Sequence, residues 1–248
     1  MFDHVTIRVS DRAASEAIYA ELLETLGLEV TYSTHAFAEW RDFSIAQADE
    51  AHAVTRNVHL GFVAPSREQC DAFWEAGRAA GLADDGAPGE RPRYVEDYYG
   101  AFLRDPDGNS VEAVHYGRMR HDGIVDHVWL RTRDLAAAAK FYTSIQPAVG
   151  YEYDDGTPGE ITARTPERGG SMTFVPVAAG EAVTEHVHFA FPGTEEQVRR
   201  FHDDATLAGY RDNGAPGERP QYHPGYYAAY ILDPDGHNVE VVDHHRDA

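Results

Sequence analysis

The sequence predicts an α+β protein made of four βαβββ-like units, paired into two tandem domains, and two observations carry that prediction. The first is an internal repeat. GAPGERP stands at Gly86–Pro92 and again, unchanged, at Gly214–Pro220, and DPDG stands at Asp105–Gly108 and again at Asp233–Gly236. Each pair is offset by 128 residues, from Gly86 to Gly214 and from Asp105 to Asp233. The strand-like opening DHV recurs with an offset of 123, from Asp3 to Asp126. The second copy has therefore gained a few residues, placed around Gly156–Gly170 where Gly and Pro signal a loop. The second observation is that apolar periodicity runs strand, helix, short strands, and does so twice in each copy. The domains are expected at residues 1–120 and 121–248, with the seam near Arg118–Gly123.

His4–Val9 alternates, with Val5, Ile7 and Val9 on one side and His4, Thr6 and Arg8 on the other, as a half-buried strand does. Ala17, Ile18, Ala20, Leu22 and Leu26 then space a helix over Ser15–Leu26, closed by Gly27. Glu29–Tyr32 and Trp40–Ala46 read as short strands. A new unit starts with a strand at Asn57–Val63, followed by the capping-box spacing of Ser66 and Gln69 and a helix over Gln69–Ala80. Tyr98–Leu103 and Ser110–Val114 form a hairpin around the DPDG turn. In the second copy the same order gives a strand at Val125–Arg131, a helix at Leu135–Ile145 and a strand at Val187–Phe191. A box at Thr194 and Gln197, a helix running to Gly209 and a final hairpin complete it.

Composition narrows the function. Apolar residues make up 42% of the 248, enough for a buried core, and no apolar run approaches the roughly 20 residues of a membrane span. The formal charge of −21 disfavours nucleic acid and anionic membrane surfaces as partners. MFDHVTIRVS lacks the basic-then-apolar pattern of a secretion signal, and a lone cysteine, Cys70, rules out an intramolecular disulfide. A cytoplasmic location is the expectation. Cys70 lies on a helix and reads as a small packed hydrophobe.

Three positions per copy carry the chemistry: His4, His59 and Glu112, then His127, His188 and Glu240. Their contexts are DHVTI, NVHLGF and NSVEAV, echoed by DHVWL, HVHFAF and HNVEVV, so each candidate alternates with apolar neighbours on a strand. Any one of them alone would be read as an ordinary hydrogen-bonded or solvated residue. The full set at matched places in both copies points to divalent-metal ligation, because two imidazoles and one carboxylate hold such an ion and leave coordination positions open. His186 shares a strand face with His188, but it aligns with Asn57, whereas His188 aligns with His59.

The DHV openings, the HLGF and HFAF strands and the DPDGNSVEAV and DPDGHNVEVV segments together resemble the vicinal oxygen chelate superfamily, over nearly the whole chain, twice. That superfamily holds glyoxalases, bleomycin-resistance proteins, fosfomycin-resistance thiol transferases and extradiol dioxygenases. The resemblance implies paired βαβββ modules forming cupped mixed sheets around a metal: Fe(II) by preference, or Mn(II), Zn(II) or Ni(II). It implies a small-molecule substrate that chelates the metal through vicinal oxygens, and a fused pseudo-dimer that is a monomer or a homodimer. Two pairings stay open: His4 completes a site with His59 and Glu112, or with His188 and Glu240 by exchange of modules.

Reaction class is less legible. Glyoxalases commonly add an acidic ligand on the last strand of the first module, yet FSIAQ (Phe43–Gln47) and MTFVP (Met172–Pro176) carry none. Tyr230 before ILDPDGHNVE resembles the ring-cleavage signature, although Ala229 is smaller than that pattern wants and Phe102 stands at the matching place in the first copy. Oxidative ring cleavage is preferred over lyase, isomerase or thiol-transfer chemistry, and metal-free capture of an antibiotic is the alternative outside catalysis. Thr6 resembles the transferases, with Trp129 in its place in the second copy. Tyr230, Tyr99 and Tyr227 are candidate catalytic hydroxyls, with Tyr98 and Tyr226 as further pocket aromatics. Arg91 and Arg219, in the repeated Gly/Pro loop, are candidate carboxylate clamps. His115, His223 and His237 are proton-handling candidates by proximity in sequence alone.

Overall fold

The computed structural model describes residues 1–154, 157–165 and 169–245. The first half contains β1 (His4–Val9), α1 (Arg12–Glu24), β2 (Tyr32–Ser33), β3 (Phe37–Trp40) and β4 (Phe43–Gln47). It continues with β5 (His59–Val63), α2 (Arg67–Ala79), β6 (Ala83–Glu90), β7 (Tyr99–Arg104) and β8 (Ser110–His115). The second half repeats the order as β9 (Val125–Thr132), α3 (Leu135–Val149), β10 (Glu152–Asp154), β11 (Ile161–Arg164) and β12 (Ser171–Pro176). It ends with β13 (His188–Pro192), α4 (Glu195–Leu207), β14 (Arg211–Glu218), β15 (Tyr227–Leu232) and β16 (Asn238–Asp243). The predicted α+β class and four βαβββ units are thus present. The loop predicted around Gly156–Gly170 lies partly outside the described residues, and its described part includes β11.

The units do not pair within a half. One eight-stranded sheet runs β14-β15-β16-β13-β1-β4-β3-β2 and the other runs β10-β11-β12-β9-β5-β8-β7-β6. The joins are antiparallel, β1 with β13 and β5 with β9, so each sheet takes its first or second unit from one half and its partner from the other. The halves are held together differently. Tyr19 on α1 donates to the DPDG carboxylate of Asp105 (2.9 Å), and Tyr142 on α3 donates to Asp233 (3.0 Å). Ser10 N–H, just past β1, donates to Asp107 (2.9 Å). The repeated DPDG turn therefore ties the two units of a half while the sheets tie the halves to each other. Helices α1 and α2 pack together, as do α3 and α4, and Val5, Ile7 and Val9 point into the same core. The alternate residues of the strands face away from the helices.

Several boundaries differ from the sequence reading for local reasons. α1 begins at Arg12 because Asp11 caps it, accepting from Ala14 N–H (3.0 Å). Trp40–Ala46 is two strands rather than one, since Arg41 turns the chain with φ 57°. Ser66 accepts from Gln69 N–H, but the Gln69 side chain reaches Thr25 O (3.2 Å), so that box is half made; the Thr194–Gln197 box is complete. GAPGE is not a loop but the end of an edge strand, β6 or β14, where register shifts and an unpaired edge accommodate Pro. Gly214 has φ 158°, and a Cβ there would lie 2.8 Å from the Tyr230 ring.

The seam is locked by Arg120, whose side chain is almost wholly buried. It donates to Asp42 (2.6 Å), Phe2 O (2.8 Å), Val125 O (3.0 Å) and Asp122 (2.7 Å), binding the start of β1 to the start of β9. Burial pushes the Asp42 carboxyl pKa up, opposed by Arg120 and by the Ile124 N–H (2.7 Å). Breaking a buried pair leaves an uncompensated charge. Asp42→Ala is therefore expected to destabilise the protein by about 3 kcal/mol, read as a lowered urea midpoint with an unchanged m-value.

Candidate metal centres

The β1–β13 and β5–β9 joins set the candidate ligands side by side. His4 on β1 pairs with Ala190, which pairs in turn with Glu240 on β16, while His188 stands opposite Thr6. On the other sheet His127 pairs with Gly61 and Gly61 with Glu112, while His59 stands opposite Trp129. A short residue at the middle of each row lets the histidine and glutamate on either side converge over it. Both sites are thus formed by exchange between halves: His4 with His188 and Glu240, and His127 with His59 and Glu112. Asn57 (φ 60°) and His186 (φ 56°) occupy matching left-handed positions before the strands, which explains why His188, not His186, is the counterpart of His59.

The donor atoms point at one another. In the first site His4 Nε2 lies 3.1 Å from His188 Nε2 and 3.6 Å from Glu240 Oε2, and His188 Nε2 lies 3.0 Å from that oxygen. In the second, His59 Nε2 is 3.1 Å from His127 Nε2 and 3.0 Å from Glu112 Oε2, and His127 Nε2 is 3.2 Å from the same oxygen. The other atoms of each donor are already engaged. His4 Nδ1 bonds Asp3 (2.9 Å), His127 Nδ1 bonds Asp126 (2.9 Å), His188 Nδ1 lies against Asn238 O (3.1 Å), and His59 Nδ1 meets Ser110 Oγ (2.9 Å). Tyr226 donates to Glu240 Oε1 (2.6 Å) and Tyr98 to Glu112 Oε1 (2.8 Å). Outer atoms pinned in this way and inner atoms left converging are the arrangement a cation site requires.

The electrostatics agree. Burial alone would keep Glu112 protonated, but hydrogen bonds from His127 and His59 outweigh it and hold the carboxyl at about 2. Burial works against the His127 cation, yet Asp126 and Glu112 together lift its pKa to about 10. His4 is raised in the same way by Asp3 and Glu240 against burial, whereas burial and the neighbouring imidazole lower His59 and His188. Glu112 therefore favours a proton on the aspartate-backed His127, and Glu240 biases His4 in the same direction. Positive charge belongs at the centre of each cluster.

A profile of the Glyoxalase/Bleomycin resistance protein/Dioxygenase superfamily matches residues 1–113 and 124–241. The chain belongs to that superfamily. Its fold is similar to that of glyoxalase I from Zea mays (17% identity, TM-score 0.67, covering 98% of this chain and 92% of that one). It is similar also to a putative dioxygenase from Bacillus subtilis (14% identity, TM-score 0.66, 97% and 84%). A glyoxalase/bleomycin resistance protein from Albidiferax ferrireducens is 38% identical over 47% of this chain and 99% of its own, with a TM-score of 0.44. No protein of curated function matches.

The remaining residues singled out from the sequence divide between the two donor clusters and the scaffold. Tyr230 lies by the first site, its ring centroid 6.3 Å from that of His188, and Phe102 holds the matching place 5.9 Å from His59. Thr6 and Trp129 flank the two sites by register. Tyr99 and Tyr227 are not in either site. Tyr99 donates to Asp71 on α2 (2.7 Å) and Tyr227 packs in the core beneath Arg199, because as the residues after Tyr98 and Tyr226 they point to the helix side of the sheet. Arg91 and Arg219 fold back on the edge strands before them, donating to Ala87 O and Ala215 O (both 2.7 Å), and lie over Phe102 and Tyr230 at 5.5 and 5.4 Å.

His115 bonds Ala64 O (2.9 Å) and His237 is buried against Val187 N–H (3.2 Å), both apart from the donor sets. His223 reaches the first site indirectly, through His244 (2.9 Å) and then Asp3 (2.9 Å). Asp3 and Asp126, inside the repeated DHV, were the available signal for the residues behind the histidines. Cys70 is buried and burial pushes its thiol up to about 12, as fits a packing residue.

Gly61 lies directly beneath a donor: a Cβ there would lie 2.2 Å from His127 Cε1. Gly61→Ala is expected to displace the His127 ring, not to unfold the sheet, since the obstacle is a side chain. Bound Zn(II), read by mass spectrometry, should fall from two per chain to one, with thermal stability of the metal-free protein little changed.

Proposed function

We propose that this chain is a divalent-metal-dependent enzyme that binds one metal at each of two sites and acts on a small molecule chelating the metal through vicinal oxygens. The observation that carries this is the twin convergence of two Nε2 atoms and one carboxylate oxygen, every outer atom of which is already held by a neighbour. His4, His188 and Glu240 would hold one ion and His127, His59 and Glu112 the other. Fe(II) is our preference, with Mn(II), Zn(II) and Ni(II) as the alternatives. A bound divalent ion supplies Lewis acidity and open positions for two substrate oxygens.

The protein's own residues do the rest. Asp3 and Asp126 keep the Nδ1 protons on His4 and His127, leaving Nε2 lone pairs directed inward. Tyr226 and Tyr98 fix one oxygen of each glutamate and leave the other to the centre. Ser44 stands on β4 beside Thr6, and Thr173 on β12 beside Trp129, where an acidic side chain would add a fourth protein donor. Three protein donors leave room for a bidentate substrate and a further ligand. Within this class we favour oxidative cleavage of a vicinal diol ring, with dioxygen as co-substrate, over lyase, isomerase or thiol-transfer chemistry. Tyr230, whose ring lies near that of His188, is our candidate catalytic hydroxyl.

The pH dependence of metal uptake follows from the site charges. A metal must replace the proton on His127, which titrates at about 10, while Glu112 at about 2 stays ionised throughout. Binding near pH 7–8 should release about one proton per metal at that site, and affinity should rise about tenfold per pH unit toward pH 10. The sign for folding is opposite: the raised His127 pKa stabilises the metal-free fold below its ordinary 6.5 and that contribution is lost through about 10. Calorimetry in buffers of different ionisation enthalpy measures the proton count. Two metals per chain after anaerobic purification, falling to one in His4→Ala, is the expected stoichiometry. A chain that takes up none of the four ions on reconstitution would instead be a metal-free binding protein.

A further inference from the structure

The two centres share one donor geometry but not one surrounding. Next to His188, in strand register, stands Thr6, whose hydroxyl bonds Ser44 Oγ at 2.7 Å. Two hydroxyls sharing one hydrogen bond leave one O–H of the pair free to donate. Across β16 from Glu240 is Tyr230, whose buried hydroxyl faces that carboxylate and puts a polar group beside the donors. A phenol there can bond a ligand oxygen as well as the carboxylate, which a phenylalanine cannot.

At the other centre the same register positions hold Trp129 beside His59 and Phe102 across from Glu112. Phe102 lies nearly parallel to the His59 ring, at 30° and 5.9 Å. Its nearest hydroxyl pair, Thr162 with Thr173 (3.0 Å), is shifted outward by one strand behind Trp129. Gly61 and Gly100 replace Ala190 and Ala228, so the donor side chains there rest on bare backbone.

From these differences we infer that the sites are specialised: the His4–His188–Glu240 centre takes a chelating ligand whose body carries further oxygens, and the His127–His59–Glu112 centre takes a flat, apolar aromatic chelator. Thr6, Ser44 and Tyr230 select the first; Trp129 and Phe102 select the second, by stacking and by exclusion of water from an aromatic face. The inference rests on the chelate reading above.

Two probes with the same catechol bite test it on the full-length Zn(II)-loaded protein under anaerobic conditions: naphthalene-2,3-diol, apolar, and gallate, oxygen-rich. Titration calorimetry should show naphthalene-2,3-diol filling one site per chain at least about tenfold more tightly than the other. Trp129→Thr should abolish that difference while leaving two bound Zn(II). Tyr230→Phe should weaken gallate at its preferred site by roughly five- to tenfold and leave naphthalene-2,3-diol binding at the His127–His59–Glu112 site unchanged. Equal affinity of each probe for both sites, insensitive to both substitutions, overturns the specialisation alone. Zn(II) binding with neither probe bound overturns the chelate reading itself and the specialisation with it.

Discussion

Everything at these sites depends on two short antiparallel joins, β1 with β13 and β5 with β9. Neither half holds a complete donor set on one sheet: β1 carries one histidine, and its second histidine and glutamate arrive on β13 and β16 from the other half. A slip of one residue in either join would turn His4 or His127 to the helix-covered face, since side chains alternate along a strand. The alternation that buries Val5, Ile7 and Val9 therefore also fixes where His4 points. Core packing and site geometry are a single constraint, and the DPDG turns, which bind each half through Tyr19 and Tyr142, hold the framework in which it is met.

Electrostatics then makes the sites demanding. A glutamate with essentially no exposed surface faces two imidazoles across about 3 Å, with an aspartate behind one imidazole and a tyrosine behind the carboxylate. An anion so placed needs positive charge beside it. Without a metal, a proton on His127 supplies that charge, and the pKa of His4 is shifted in the same direction. The cluster is thus organised for a cation at its centre before any ligand arrives, and the cost of removing Glu112 and Glu240 from water is offset within the fold.

Much of this was legible in the sequence because repetition turned weak signals into a joint one. A single His in a strand says little; His4, His59, Glu112 and their counterparts in matched strand contexts say a good deal, and their convergence follows from the same alternation that predicts the strands. The pairing of halves was not legible, because β1 can extend a sheet with β5 or with β13 by the same hydrogen bonds, and only tertiary packing decides. The GAPGE segments read as loop because Gly and Pro mask an edge strand whose bulges local patterns do not announce, while Arg91 and Arg219 follow directly after it. Tyr99 and Tyr227 were misplaced by one residue of register: their neighbours Tyr98 and Tyr226 face the sites, and two adjacent tyrosines at a strand start do not reveal which points inward.

The interlocked halves also bear on how two sites in one chain come to differ. A homodimer of single-domain chains must carry identical residues at both of its symmetry-related sites. Fusion removes that requirement while leaving the interlock, since each half still supplies one histidine to one site and a histidine with a glutamate to the other. Changes to the donors or to the short residues beneath them damage geometry directly, as the contact at Gly61 shows. Thr6 against Trp129 and Tyr230 against Phe102 lie beside the donors without holding them, so exchange there alters what fits and not whether the site forms. The specialisation inferred above would therefore leave both donor sets intact.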